Sequence, residues 1–113
     1  MCYNNIMKTV FTNGCFDILH RGHLEYLKES AFWGERLIVG INSDSSIRKL
    51  KGSDRPINKE EDRKLALECL RFVDRVYIFD EPTPYELIKY IRPDIITKGG
   101  DYVPDNVVGN DLA

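Results

Sequence analysis

A chain of 113 residues with a net charge of −2, 42% hydrophobic and 30% charged, has an ordinary globular composition. Its length suits one domain, 1–113, around a single small core. The balance carries no nucleic-acid footprint, no apolar run reaches spanning length, and the start lacks a signal-peptide pattern, so neither nucleic acid nor membrane is expected as a partner.

Cys2, Cys15 and Cys69 are odd in number and form no Cys-X-X-Cys pair. Reduced thiols in a cytoplasmic protein follow, without a disulfide framework or a zinc site. After an uninformative lead-in, Lys8 to Thr12 reads as a strand. It runs into Asn13-Gly14-Cys15-Phe16-Asp17-Ile18-Leu19-His20-Arg21-Gly22-His23. A glycine turn between a strand and a helix collects free backbone N–H groups, and the helix start adds partial positive charge. His20 and His23 bring imidazole donors to the same place, where they can stabilise charge developing on a phosphoryl group. The junction reads as a nucleotide phosphate cradle. The plainer reading is a turn whose histidines only cap the helix; the Gly, Phe, Asp and Leu in register before them weigh against it. Cys15 fits packing or a backbone N–H better than a nucleophile.

The next helix shows Leu24, Leu27 and Ala31 as its buried stripe, and Gly34 is placed to end it in a left-handed conformation. Arg36 to Ile41 is a nearly continuous apolar strand, as in a parallel sheet covered on both faces. The stretch from Arg48 to Arg55 sets four cations against one acid and reads as a loop. Any single cation there suits a solvated surface; together they suit an electrostatic lip for a triphosphate, with Lys51-Gly52 the preferred pair. Asn58 and Glu61 have capping-box spacing for a helix burying Leu65, Ala66, Cys69, Leu70 and Val73. Arg63 lies off that stripe, open to either the phosphate site or the surface.

Arg75 to Phe79 is a third strand. Thr83-Pro84-Tyr85-Glu86 starts a helix with Leu87, Ile88 and Ile91 on its apolar face, and Pro93 stops it. Asp94 to Thr97 is a fourth strand, followed by Lys98-Gly99-Gly100-Asp101-Tyr102. That glycine pair is either a plain turn or a ligand wall at a strand's C-terminal end. Alternating strands and helices give an α/β fold, a parallel sheet with helices on both faces. The absence of Gly-X-Gly-X-X-Gly argues against a dinucleotide dehydrogenase.

His20-Arg21-Gly22-His23 resembles the His-X-Gly-His signature of the nucleotidyltransferase superfamily, and residues 14 to 20 resemble its cytidylyltransferase-like branch. Val39 to Asp44, Leu50 to Asn58, Arg63, Val73-Asp74, Glu81 to Pro84 and Lys98 to Tyr102 are similar to bacterial heptose 1-phosphate adenylyltransferases. The resemblance implies a Rossmann-like nucleotidyltransferase fold and transfer of AMP from ATP to D-glycero-D-manno-heptose 1-phosphate. The products would be pyrophosphate and an ADP-heptose for lipopolysaccharide core synthesis. It makes His20, His23 and Lys51 catalytic. Asn13, Gly14, Cys15, Phe16, Gly22, Arg63, Gly100 and Asp101 would join them on the nucleotide, while Asp17, Asn42, Asp44 and Lys98 would meet the sugar phosphate. Mg²⁺ would bridge the phosphates without a protein ligand set, with carboxylate help from Asp17 or Asp101. Members of that family continue with a further strand, a Ser/Thr-rich turn and a helix, whereas this chain stops at Asp111-Leu112-Ala113. A C-terminally short domain of this kind is expected to self-associate as a homo-oligomer or be marginally stable, and to turn over poorly. Two other readings stay open: a cytidylyltransferase for glycerol 3-phosphate or a similar ester, and a nucleotide-binding remnant without turnover.

Overall fold

The structure is a computed structural model and describes residues 7–98. Four strands and four helices alternate in chain order: β1 (Thr9–Gly14), α1 (Arg21–Phe32), β2 (Arg36–Asn42), α2 (Asp44–Lys51), α3 (Glu60–Glu68), β3 (Arg75–Phe79), α4 (Tyr85–Ile91) and β4 (Ile95–Ile96). The strands form one parallel sheet in the order β3-β2-β1-β4. From β1 to β3 the chain steps in one direction across the sheet, then returns past β1 to add β4. Right-handed crossovers therefore place α1 and α3 on one face and α4 on the other.

Alternation along the strands divides the core accordingly. Val10, Leu37, Val39, Ile41 and Val76 pack with Leu27 of α1 and Leu67 of α3, while Phe11, Ile38 and Ile96 pack with Ile88 of α4. With both faces of β2 covered, six of its seven residues are buried, the expected consequence of a parallel strand between helical layers. The reversal of strand order at β1 opens a crevice at its C-terminal end, beside Gly14. No helix among the described residues is long and apolar enough to cross a membrane.

Several local expectations are corrected. Leu24, in the first turn of α1, is exposed; the inward stripe is Leu27 and Ser30, flanked by Tyr26 and Ala31. Gly34 is not left-handed, since Gly52 alone among the described glycines has positive φ. A Cβ at Gly34 would stand 2.6 Å from the Lys8 carbonyl oxygen, so glycine there permits close approach to β1. Of the expected basic loop only residues 48–51 are helical, the end of α2, which is capped by the Ser43 hydroxyl accepting from the Ser46 N–H; residues 52–55 form the loop. The cations Arg48, Lys49 and Lys51 lie in the last turn of α2, where the helix dipole favours them.

Helix α3 starts after Lys59 rather than Asn58, and its inward residues are Arg63 and Leu67, with Leu70 just beyond it partly buried. The expected stripe of Leu65, Ala66 and Cys69 faces outward. A buried arginine held position 63, and the helix turned accordingly. Pro84 occupies the cap position of α4 without a side-chain cap from Thr83, and left-handed Arg92 ends it before Pro93.

Candidate functional site

The crevice at the end of β1 is a cavity of about 450 Å³ lined by Asn13, Gly14, Cys15, Phe16, His20, Gly22, His23, Tyr26 and Lys98. Seven of those nine belong to the single stretch from 13 to 23, because β1, a tight loop and the start of α1 turn around one point. Gly14 is required there: a Cβ would lie 2.9 Å from the Phe16 ring, which folds back over it. A Cβ at Gly22 would sit 2.8 Å from Cε1 of His20, so a larger residue there must displace that ring.

His20 is the N-cap of α1, and its side chain and that of His23 form a reciprocal capping box. Nδ1 of His20 accepts from the Gly22 N–H at 3.0 Å, and Nδ1 of His23 accepts from the His20 N–H at 3.3 Å. A backbone N–H only donates, so both Nδ1 atoms carry lone pairs. The proton of each neutral imidazole is therefore on Nε2, the nitrogen left free for a ligand. Capping thus fixes the tautomer, and each ring offers one N–H donor. The rings lie 4.0 Å apart between centroids. Burial, and then the neighbouring His20, lower the pKa of His23, which favours the neutral donor form. Capping occupies Nδ1 of each imidazole, so a capping role leaves Nε2 available to a ligand.

The other expected residues are distributed differently. Lys98 lines the cavity, at the end of β4. Lys51 is the exposed last residue of α2 and does not line it. In place of a reach toward phosphate, Arg63 is turned inward with its side chain 1% exposed. Its Nε donates to the Asn58 carbonyl, Nη1 to the carbonyls of Cys15 and Asn42, and Nη2 to the Asp44 carboxylate at 2.9 Å.

Asp44 and Asn42, expected on the sugar phosphate, are engaged within the protein: Asp44 by Arg63, and Asn42 by the Ser46 hydroxyl at 3.0 Å and the Cys15 thiol. Asp17 likewise turns from the cavity to accept from the Ile57 and Asn58 N–H groups, each at 2.8 Å. Burial alone would raise its pKa; the N–H groups of Asn58 and Ile57, then the charges of Arg63 and Arg55, outweigh it and hold the carboxyl below its ordinary range. Gly100 and Asp101 lie outside the described residues.

Tyr26 went unnoticed in the sequence. Its hydroxyl bonds the Thr12 hydroxyl on β1 and approaches Thr97 Oγ1 at 3.4 Å, so its ring forms a fixed wall. A hydroxyl three residues after His23, on an otherwise inward helix face, was the available signal. Tyr26 and Lys98 also border a second cavity of about 410 Å³ along β4, with Trp33, Ile95 and Ile96. Its lining lacks the histidines and the glycine turn that give the first cavity its chemistry. Among the described residues, no group of three His, Cys, Asp or Glu side chains could hold a metal ion.

Residues 11–111 match the cytidylyltransferase-like family. The bifunctional protein HldE of Wolinella succinogenes is 61% identical over 105 residues, covering 93% of this chain and 22% of that protein. The HldE protein of Aliarcobacter butzleri is 58% identical over 106 residues, covering 94% and 22%. The chain therefore spans about a fifth of the length of these relatives. Among solved structures, the lipopolysaccharide core biosynthesis protein from Thermoplasma volcanium aligns with a TM-score of 0.78 at 40% identity, over 85% of this chain and 77% of that one.

Proposed function

The chain belongs to the cytidylyltransferase-like family, and from that premise we propose that it transfers AMP from ATP to D-glycero-D-manno-heptose 1-phosphate, releasing pyrophosphate. One observation carries the chemistry: two imidazoles locked as Nε2–H donors at a helix N-terminus beside a glycine turn. A sugar-phosphate oxygen attacks the α-phosphorus, and the bond from that phosphorus to the bridging oxygen of the pyrophosphate breaks opposite it. The nucleophile is already anionic, so the protein's task is to position reactants and stabilise charge rather than to abstract a proton. The two Nε2–H groups donate to phosphate oxygens as charge moves onto the leaving pyrophosphate. Lys98, which also lines the cavity, adds a cation for the phosphates of either substrate.

Mg²⁺ would enter this scheme with the nucleotide, where it would supply charge neutralisation. The Asp17 carboxylate already accepts from two backbone N–H groups and no three-ligand cluster is present among the described residues, so the nucleotide rather than the protein would hold such an ion. The choice of ATP and a heptose is supported by the likeness to HldE proteins and to a lipopolysaccharide core biosynthesis protein, together with the Leu50–Asn58 stretch. Self-association is proposed on the exposed Leu24, Phe32, Trp33 and Leu65, and sedimentation tests it.

The deciding assay follows pyrophosphate release with ATP or CTP against a panel of sugar and polyol phosphates. Preference for ATP with heptose 1-phosphate supports the proposal. Preference for CTP with glycerol 3-phosphate would replace it by the cytidylyltransferase reading. Nucleotide binding without release in any combination would leave a binding domain.

A further inference from the structure

Phe16 has a φ of 49° and a buried side chain. Residues with a Cβ adopt this left-handed region rarely, and keep it where surrounding structure over-determines it. Here both neighbours of Phe16 are held by one distant segment. The Cys15 carbonyl accepts from Arg63 Nη1 at 2.9 Å. On the other side, the Asp17 carboxylate accepts from the N–H groups of Ile57 and Asn58, and the Asp17 carbonyl accepts from the Asn58 side chain. Arg63 Nε closes the ring by donating to the Asn58 carbonyl at 2.9 Å. The remaining bonds of the guanidinium, to the Asn42 carbonyl and Asp44, anchor the ring to the end of β2 and the start of α2.

We infer that Arg63 and Asp17 form one positioning bracket, which holds the Cys15-Phe16-Asp17 backbone in the shape of the cradle without touching phosphate. What the cradle holds rests on the nucleotidyl-transfer reading; the bracket itself rests on geometry alone. Two observations separate the bracket from direct phosphate contact. A guanidinium has five N–H donors, and protein acceptors already take four hydrogen bonds from Arg63. Its charge is also paired with Asp44 at 2.9 Å beneath the loop, leaving little field for a ligand above it. The bracket reaches the chemistry through Phe16. That ring fills the space beside Gly14 and stands 5.3 Å from the His23 ring, so a shift of the loop moves the cavity wall and a donor together.

The test compares the full chain with Arg63→Lys, Asp17→Asn and the double variant. Backbone NMR shifts of Phe16 report its left-handed φ without any ligand, and calorimetry gives the affinity for ATP and for CTP, each with Mg²⁺. Each single variant should move the Phe16 shifts toward ordinary φ and weaken nucleotide binding by about 10-fold or more, the scale of a small misplacement in a binding constellation. The double variant should be within about 3-fold of the worse single one, because both changes disable one device. Loss of nucleotide binding in Arg63→Lys with unchanged Phe16 shifts would make Arg63 a phosphate ligand and overturn the inference. So would single effects that multiply in the double variant. Should Arg63→Lys fail to fold, Asp17→Asn alone decides by the same two readouts. If the unmodified chain binds neither nucleotide, the nucleotidyl-transfer reading fails, while the Phe16 shifts still support or overturn the bracket.

Discussion

His23 caps α1 through Nδ1 and, under the proposed function, donates to phosphate through Nε2, and substitutions can test the two roles apart. His23→Ala removes both the Nε2–H donor and the acceptor for the His20 N–H. The bond to that N–H is 3.3 Å long and exposed, so its loss should cost only about 0.5–1 kcal/mol of stability. Removing one donor to developing charge should cost far more in rate, about 10²–10³-fold in turnover, or roughly 3–4 kcal/mol. His23→Gln supplies the missing control: glutamine at this third helical position can accept from the cap N–H through its side-chain oxygen. It should recover most of the stability while restoring less than about a tenth of the turnover. Urea unfolding and pyrophosphate release, run on the same three proteins, measure both quantities. If His23→Gln recovered turnover together with stability, the histidine would matter as a cap, and the assignment of Nε2–H as a phosphate donor would be refuted.

Three further outcomes follow from the geometry. If neutral His23 is the donor, as proposed, with its pKa below the ordinary 6.5, turnover should not fall as pH rises through 6.5; a fall of that kind would identify an imidazolium donor instead. The same shift fixes the stability profile. Between the lowered folded value and 6.5 the unfolded chain binds more protons, so stability should decline as pH falls through that window and be level above it, as urea titrations at stepped pH would show. Lys98→Ala should weaken ATP binding about 10-fold and Lys51→Ala less than about 3-fold, since Lys98 lines the cavity and Lys51 is an exposed cation at a helix end; calorimetry that reversed the order would reinstate the basic lip. Gly22→Ala should lower turnover about 10-fold or more with little loss of binding, because its Cβ would push the His20 ring from its place, and a variant of unchanged kcat would show that the ring tolerates the move.

The sequence made the sheet legible because each strand is an apolar run bounded by turn residues, and parallel strands need little else. The cradle was legible because its glycines and histidines are contiguous. Arg63 and α2 show where that reasoning stopped, and for one physical reason. Hydrophobic periodicity finds a helix by the apolar face it buries, but α3 buries an arginine at its inward position and α2 buries chiefly Ser46 and Ile47. Arg63 is tolerated there because three backbone carbonyls and Asp44, from three separate segments, converge on its guanidinium. No pattern within one helix reports such a convergence. Apolar periodicity selects Leu65, Ala66 and Cys69 for the stripe and leaves Arg63 off it, open to the phosphate site or the surface, whereas the folded chain exposes those three and buries Arg63. Asp17, Asn42 and Asp44, which the family resemblance implies on the sugar phosphate, have protein partners that no local pattern reports, because those partners lie 4 to 41 residues away. Motif residues at this site therefore divide by what satisfies them. The two histidines keep an Nε2–H that no protein group uses among the described residues, whereas Arg63 bonds the Cys15 carbonyl and Asp44, and Asp17 accepts from Ile57 and Asn58.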